Sequence, residues 1–387
     1  MGDRLLAEAK FVRGLAYFEL VKHFGDVPLI TQYIASTDDQ IVFPRSSSSD
    51  VYAQIERDLE EAAANLDIAY DSQDQGRATS GAAYTLLAKV HLYQEEYAKV
   101  REYTEVVINS NVYNLEANYA DNWSLDNEYG IESIFEIGYA DGFSNFYFES
   151  AGGETNQGSS SYQMFGYIFA NTGTFGNSVP RQELIDLFDD NDSRKDATFI
   201  TPTTVYEGAV QSCGCAVLDD CTPDWDSDQS LWVGTDVYNF FWTNPDALCS
   251  RATMRKYDIP SSVASSLLQL SSNPLNEKML RYADVLLMHA EAAVNGAGGD
   301  GQASLDAIRQ RAGLSSIPLT MENVKLERRK ELATEGWDRF TDLVRWGDAA
   351  TALAFKGFRV GRDELLPIPQ GEIDLVGSDV LSQNPGY

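Results

Sequence analysis

The chain has no long apolar run and little positive charge, and each of these absences argues against a class of protein. No segment approaches the ~20 consecutive apolar residues that a membrane-spanning helix needs. Lysine and arginine total 29 residues against 59 aspartates and glutamates, so the formal net charge is −30 at pH 7. A surface this acidic repels phosphate backbones and anionic lipid headgroups. The composition therefore disfavours binding to nucleic acid, or to a membrane surface through basic patches.

Cysteine is scarce, and the few that occur are confined to one central region. The four residues are Cys213, Cys215, Cys221 and Cys249. An even number of clustered cysteines in an otherwise cysteine-free chain favours one or two disulfides in an oxidising compartment. The alternative is a zinc site, but a Cys-x-Cys pair without a second matching pair or a nearby histidine fits that chemistry poorly.

Aspartates in the same region have part of the spacing of a calcium-binding loop. Asp224, Asp226 and Asp228 alternate as the first ligands of such a loop do, and Asp219 and Asp220 lie nearby. The glycine at the sixth position and the glutamate at the twelfth are both lacking. A solvated acidic surface is therefore favoured over a calcium site.

Motifs typical of catalysis and of cofactor binding are also lacking. The sequence contains no Gly-x-Ser-x-Gly, P-loop, dinucleotide fingerprint or His-Glu-x-x-His. His23, His91 and His289 lie far apart within predicted helices, without metal-ligand spacing, and are interpreted as core or cap residues. Glu291, in an apolar helix, is expected to pair with Arg309 or Arg311. The sequence thus predicts no catalytic residue, no metal and no cofactor.

Helical periodicity occupies both ends of the chain. Small and large apolar residues recur at spacings of three and four, as in stacked tetratricopeptide helix pairs. The first helix, for example, carries Ala9, Ala16, Tyr17 and Phe18 and is stopped by Gly25. The predicted helices are 5–24, 50–66, 82–93, 97–108, 278–295, 302–311, 321–332 and 338–353.

The centre of the chain, residues 110–274, has a different composition. Glycine, serine, asparagine, aspartate and aromatic residues increase, and helical periodicity largely disappears. A short strand is predicted at 131–138 and the start of a short helix at 180–189. Long loops within a compact protein are usually functional. We therefore predict a mostly α fold in one domain, 1–387: a scaffold of tetratricopeptide-like helix pairs, 5–109 and 275–355, around a large irregular loop-rich insert, 110–274.

Several ordered motifs resemble the SusD/RagB family, the surface glycan-binding lipoproteins of Bacteroidetes. The resemblance runs from about residue 7 to residue 387. The matching segments are 7–29 in the first helix, Arg281-Tyr282-Ala283-Asp284 to Ala292 after the insert, Ile308–Leu314, Glu327–Leu332, Asp342–Trp346, Leu366–Pro369 and Gln383–Tyr387.

This resemblance implies both a function and a location. Members capture an oligosaccharide at the outer-membrane surface without cleaving it, and deliver it to a SusC-like TonB-dependent transporter. The family normally begins with a signal peptide, a lipid-bearing cysteine and a further segment, none of which precedes residue 5 here. Met1 is interpreted either as an introduced initiator or as the start of a chain that begins partway into a longer protein. Half of the first helical repeat is then lacking, so we expect an exposed apolar face on residues 5–24.

A glycan site needs exposed aromatic faces for the C–H patches of sugar rings, beside polar groups for the hydroxyls. The insert supplies such residues, mostly in polar loops. The candidates are Trp225, Trp232, Trp242, Tyr238, Tyr162, Phe175 and Asn177. The alternative is that these aromatics form the core of an insert that is short of regular structure. Tryptophan pairs suit neutral glucans, and the acidity disfavours a polyanion, so a laminarin-like β-glucan is the expected ligand.

Two other functions remain open at this point. A glycoside hydrolase accessory enzyme needs two carboxylates flanking the scissile bond, and acidic residues are abundant. A tetratricopeptide-type scaffold would instead bind a protein in its concave face. Its binding residues would then lie on helices 82–108 and 278–311 rather than in the insert.

Overall fold

The structure is a computed structural model that describes residues 2–33, 43–139, 180–200, 205–206, 209–210, 253–256, 275–335 and 338–387. The described chain is mostly helical, as predicted. The α-helices, numbered in chain order, are α1 Gly2–Phe24, α2 Ser48–Asn65, α3 Ser80–Tyr93, α4 Tyr97–Asn109, α5 Gln182–Ile185, α6 Arg194–Thr198, α7 Tyr282–Ala292, α8 Gly301–Arg311, α9 Met321–Glu331, α10 Asp338–Arg345, α11 Ala349–Ala352 and α12 Gln370–Val376. Short 3-10 turns occupy Tyr119–Trp123, Leu125–Asn127 and Ala354–Lys356, and a π-helical segment occupies Ala293–Ala297.

The strands are short and pair two by two. They are β1 Val27–Pro28, β2 Arg45–Ser46, β3 Ser133–Ile137, β4 Phe199–Ile200, β5 Val205–Tyr206, β6 Ala209–Val210, β7 Thr253–Met254 and β8 Glu277–Arg281. The antiparallel pairs are β1 with β2, β3 with β8, β4 with β7 and β5 with β6.

Contacts divide the chain into two compact units. The first, called the N-terminal unit, comprises Met1–Val112, Glu291–Gly299 and Gly336–Tyr387. The second, called the central unit, comprises Tyr113–Ala290 and Asp300–Glu335. The assignment of 1–387 to a single domain stays a prediction.

Four successive helices form the core of the N-terminal unit. Helix α1 packs on α2, α2 on α3, and α3 on α4, which is the stacking expected of helix pairs. The hydroxyls of Ser47 and Thr79 cap α2 and α3 by accepting the backbone N–H of the third residue along. Gly14 is buried where α1 meets α2. A Cβ there would lie 2.9 Å from Cδ2 of Leu59, so glycine allows the two helices to approach closely.

One face of α1 carries apolar side chains that remain exposed. Leu5, Leu6, Val12 and Leu20 are 48%, 56%, 56% and 41% exposed, respectively. The opposite face is buried, with Phe11 completely inaccessible. The expected apolar face on residues 5–24 is therefore confirmed.

Two helix predictions at the carboxyl side of the insert need correction. The predicted helix 278–295 begins instead as strand β8, whose residues pair with β3, and becomes helical only at Tyr282. A paired strand satisfies the backbone there, and periodicity alone cannot distinguish a short buried strand from a helical turn. The predicted helix 338–353 is two helices, α10 and α11, because Gly347 adopts a left-handed φ of 72° between them.

The expected partner of Glu291 was wrong. Its carboxylate accepts hydrogen bonds from both terminal nitrogens of Arg345, at 2.5 and 2.9 Å, and from the indole Nε1 of Trp346, at 2.9 Å. The pairing follows from position: Glu291, at the end of α7, belongs to the N-terminal unit together with α10, whereas Arg309 and Arg311 belong to the central unit. Arg309 pairs with Glu327, and Arg311 with Glu132 and Glu331.

Candidate functional site

The aromatic and polar residues predicted to bind glycan all lie outside the described residues. These are Trp225, Trp232, Trp242, Tyr238, Tyr162, Phe175 and Asn177. The four cysteines and the aspartates at 219–228 lie outside them as well. These assignments stay predictions, and the structure instead describes the parts of the insert that join the rest of the central unit.

A buried ionic network, centred on Glu331 of α9, joins those parts together. Glu331 is completely inaccessible, and its carboxylate contacts Arg311 at 2.5 Å, Arg194 at 3.1 Å and Arg281 at 3.2 Å. The three arginines come from α8, α6 and the end of β8, so one carboxylate links three elements that are distant in sequence. Burial alone would raise the pKa of Glu331, but the positive charges of the neighbouring arginines outweigh it and lower the pKa.

Arg194 brings the described segment 180–200 of the insert into this network. Its side chain is completely inaccessible and forms a bidentate contact with Asp192, at 2.8 Å to each carboxylate oxygen. It also pairs with Glu327, at 2.6 Å. Burying a guanidinium without partners would cost several kcal/mol, so these carboxylates are needed to hold α6 against α9.

Lys256 brings the described segment 253–256 of the insert to the same place. Its Nζ lies 2.5 Å from Oε1 of Glu335 and donates to the backbone carbonyl of Glu331 at 3.2 Å. The ammonium also lies over two aromatic rings, 4.5 Å from the centroid of Trp123 and 5.0 Å from that of Tyr119. A cation between a carboxylate and two ring faces is favourable when desolvated. Lys256 therefore anchors the segment that carries β7.

Neighbouring contacts keep that segment in register. Strand β7 pairs with β4, and the backbone N–H of Arg255 donates to the carbonyl of Thr198 at 2.9 Å. The guanidinium of Arg255 donates to the carbonyl of Asp196 at 2.7 Å. These described segments of the insert are thus held by hydrogen bonds and ion pairs as well as by apolar packing.

Lys256 gives a pH-dependent prediction. Burial lowers its pKa to about 8, below the ~10.4 of a free lysine. Between these values the unfolded chain binds one more proton than the folded one, so the free energy of unfolding rises with pH by up to about 1.4 kcal/mol per pH unit. We expect Lys256→Met to remove this rise. Urea unfolding midpoints measure this rise at pH values of about 8.0, 8.5, 9.0 and 9.5, which lie between the two pKa values of Lys256.

The matched control for this prediction is Lys195→Met. Lys195 pairs with Asp190, whose side chain is fully exposed, and its own side chain is partly exposed. The control should retain the wild-type slope. Identical slopes for wild type and Lys256→Met would show that the folded protein does not lower the pKa of this lysine.

The buried carboxylates of the network are structural groups rather than an acid–base pair. Glu132, Glu327, Glu331 and Glu335 each contact an arginine or lysine. A general acid needs a carboxyl group that stays protonated near neutral pH, and the arginines around Glu331 oppose this by lowering its pKa. The helical spacing of the charges at 327–331 predicts structural ion pairs rather than acid–base groups, and the contacts of Glu327 and Glu331 confirm that role.

Sequence reasoning missed this network because its members are spread over six segments. A signal was nevertheless present. Arg194 and Lys256 are among the few basic residues of an insert rich in aspartate, and the run Glu327–Glu331 has three basic residues between two glutamates within one helix. The local spacing suggested ion pairs within that run, whereas the structure uses it to bind cations from distant segments.

The described helices and these contacts define a class: stacked helix pairs, with the described segments of the insert held by buried ion pairs. The chain belongs to the SusD family, whose model matches residues 131–387. A second model, described as "Starch-binding associating with outer membrane", matches residues 2–92. This is a family of glycan-binding proteins associated with the outer membrane. Among the described residues, no helix combines the length and apolar composition needed to cross a bilayer.

Known relatives cover the whole chain. The chain is 26% identical to the SusD-like protein P2 of Formosa agariphila, over all of this chain and 74% of that protein. It is similar in structure to a laminarin-binding SusD-like protein: TM-score 0.75, 30% identity, 98% of this chain and 78% of the other. It is also similar to the surface glycan-binding protein A of Bacteroides thetaiotaomicron in complex with laminarihexaose: TM-score 0.72, 27% identity, 99% and 79% coverage.

Proposed function

We propose that this protein binds an oligo- or polysaccharide without cleaving it, and that the ligand is a laminarin-like β-glucan. The observation that carries the proposal is the similarity to a laminarin-binding SusD-like protein at 30% identity over 98% of the chain. The similarity to a second structure, solved with laminarihexaose, supports the same ligand class. Transfer of the glycan to a SusC-like TonB-dependent transporter, from a lipid-anchored position on the outer surface of the outer membrane, completes the proposal.

The aromatic insert supplies the chemistry for such binding. Trp225 and Trp242 stand among aspartate, threonine and asparagine residues in the sequence. Indole faces can stack on glucose rings, and neighbouring amides and carboxylates can receive the hydroxyl groups. The network around Glu331 supports this role because it holds the described segments 180–200 and 253–256 of the insert. A few stacked rings, offset by ordering costs, suggest dissociation constants of about 1 µM to 1 mM.

Native affinity electrophoresis through gels containing laminarin, mannan, xylan, starch or alginate tests the proposal. We expect laminarin to retard the protein, and the double variant Trp225→Ala/Trp242→Ala to migrate as if no glycan were present. Tyr33→Ala is a matched control, because Tyr33 is an aromatic residue outside the insert that is 91% exposed. The control should be retarded like the wild type.

The other outcomes separate the alternative functions. Release of reducing sugar from laminarin would indicate a glycoside hydrolase and contradict a purely binding role. Retardation by laminarin that the double variant retains would place binding outside the two tryptophans. An absence of retardation by every glycan, with an intact fold, would contradict glycan binding and favour a scaffold for protein partners.

A further inference from the structure

A histidine and two glutamates lie close together in the N-terminal unit, away from the insert. Glu56 belongs to α2, His91 to the last turn of α3, and Glu96 directly precedes α4. One ring nitrogen of His91 and one carboxylate oxygen from each glutamate lie within 4.8 Å of one another. Imidazole nitrogens and carboxylate oxygens are both ligands of divalent transition metals, and these atoms are close enough for one ion to bind all three.

The turn between α3 and α4 fixes two of the three groups. The backbone N–H groups of Gln94 and Glu96 both donate to the carbonyl of His91, at 3.2 and 2.9 Å. Between them, Glu95 takes a left-handed φ of 60°, which is uncommon for a residue with a side chain. Glu96 stands at the N-cap of α4 but makes no capping bond with its side chain. Its carboxylate instead accepts from Nδ1 of His91 at 2.7 Å.

The imidazole is held in a single orientation. His91 is 4% exposed, and its ring stacks on Tyr103 with centroids 5.5 Å apart and planes 24° apart. Its other nitrogen, Nε2, is buried and has no hydrogen-bond partner. Nε2 is not the nitrogen that meets the glutamates, because Nδ1 is the one bonded to Glu96. Imidazole is the preferred transition-metal ligand of the cluster, and the ring presents Nδ1 to the carboxylates in a fixed orientation.

The electrostatics of this corner favour a cation. The hydroxyl of Tyr103, whose ring stacks on His91, donates to Oε1 of Glu60 at 3.4 Å. Glu60 therefore adds a further negative charge near the carboxylates of Glu56 and Glu96. Glu56, the remaining group of the cluster, is fixed by a hydrogen bond that its Oε1 accepts from Nε2 of Gln94 at 2.8 Å. All three groups of the cluster thus have defined positions.

We propose that Glu56, His91 and Glu96 bind one divalent transition-metal ion, with Zn²⁺ the best match. Imidazole with carboxylates is a ligand set for Zn²⁺, Ni²⁺ or Cu²⁺, whereas Ca²⁺ and Mg²⁺ prefer oxygen ligands alone. The metal would replace the hydrogen bond between His91 and Glu96, and water would complete a tetrahedral shell. A cation there would tie α2 to the α3–α4 turn and offset part of the local negative charge.

The surroundings of Nε2 set an upper limit on the affinity. When a metal takes Nδ1, the ring proton moves to Nε2, which has no acceptor. Loss of the outer acceptor of a metal-bound histidine weakens binding by about 10- to 100-fold. We therefore expect a site of modest affinity, which stabilises the helix pairs when the metal is abundant.

Thermal unfolding with excess ZnCl₂ or MgCl₂ tests the site. We expect Zn²⁺, but not Mg²⁺, to raise the Tm of the wild type by about 3 °C. Glu56→Gln and Glu96→Gln should abolish the rise, because an amide keeps the hydrogen bond but is a poor ligand. The control Glu102→Gln, on α4 with a side chain 57% exposed, should keep the rise. Circular dichroism without metal confirms that the variants are folded.

Co²⁺ absorption separates this site from the cysteines of the insert. A histidine–carboxylate site gives visible bands without the thiolate charge-transfer band of a cysteine site. We expect the visible bands in wild type and in Glu102→Gln, and their loss in Glu96→Gln. Equal Tm rises in all variants, or a spectrum dominated by thiolate bands that Glu96→Gln leaves unchanged, would overturn the proposal. So would the absence of any rise in the wild type.

Discussion

Replacing Glu331 with glutamine is expected to destabilise the central unit by about 3–5 kcal/mol, because it leaves buried arginines without their shared carboxylate. Arg194, Arg281 and Arg311 all contact Glu331, and all three are nearly or completely inaccessible to solvent. Glutamine has the same shape, so the change removes charge without leaving a cavity. Hydrogen exchange of peptides covering residues 321–335 measures the loss as a lower free energy of opening.

The matched control lies on the same helix. Glu322 is exposed in the first turn of α9, so Glu322→Gln should change stability by no more than about 0.5 kcal/mol. The same effect on stability from both substitutions would show that the network contributes nothing beyond surface charge.

Acid is expected to lower the free energy of unfolding of the wild type more than that of Glu331→Gln. The neighbouring arginines lower the pKa of Glu331 in the folded state, so the unfolded chain binds its proton first as the pH falls. Stability contributed by this group is present above the ordinary glutamate pKa of ~4.3 and decreases below it. Glu331→Gln should therefore lose less stability than the wild type when the pH falls from neutral to pH 3, which is about one pH unit below the ordinary pKa of glutamate.

The second large effect is expected at Glu291, in the N-terminal unit. Glu291→Gln should cost about 3–5 kcal/mol, because Arg345 loses a bidentate partner at a position where both side chains are buried. The guanidinium also lies over two rings, 4.6 Å from the centroid of Trp346 and 5.5 Å from that of Tyr93, so it cannot simply turn toward water. Hydrogen exchange of peptides from α10 measures the change.

A double-mutant cycle separates the pair from its surroundings. Replacing both partners, as in Glu291→Leu/Arg345→Met, should cost less than the sum of the single losses, because both single losses include the same Glu291–Arg345 contact. The contact of Arg345 with Asp342, at 2.8 Å, is lost in both variants that lack Arg345 and cancels in the cycle. Arg345→Lys should not behave as a conservative change, since an ammonium cannot form the two parallel hydrogen bonds. Additive losses in the cycle would show that the two side chains act independently.

Local patterns predicted the helical elements well. The bounds of α2 and α3 differ from the predictions by at most two residues, because Ser47 and Thr79 cap them as local sequence indicates. The same reasoning failed at residues 278–281. Their backbone pairs with β3, about 140 residues earlier in the chain, and no local pattern reports such a partner.

Composition and motif order by themselves determined what kind of protein this is. The excess of acidic residues disfavoured binding to nucleic acid, and small and large apolar residues at helical spacing predicted the scaffold of helix pairs. Ordered motifs from residue 7 to residue 387 indicated the SusD family, which the comparisons confirm. These properties could be recognised because each depends on residues that are near one another in the chain, or on their order.

Only the tertiary structure decided which charges meet. Glu291 pairs with Arg345 rather than with Arg309, Lys256 reaches Glu335, and His91 lies between two glutamates from different elements. The physical reason is that an ion pair depends on distance and burial, and both are set by how elements far apart in sequence pack together. A charged residue in the sequence indicates that a partner is needed, and the fold supplies it.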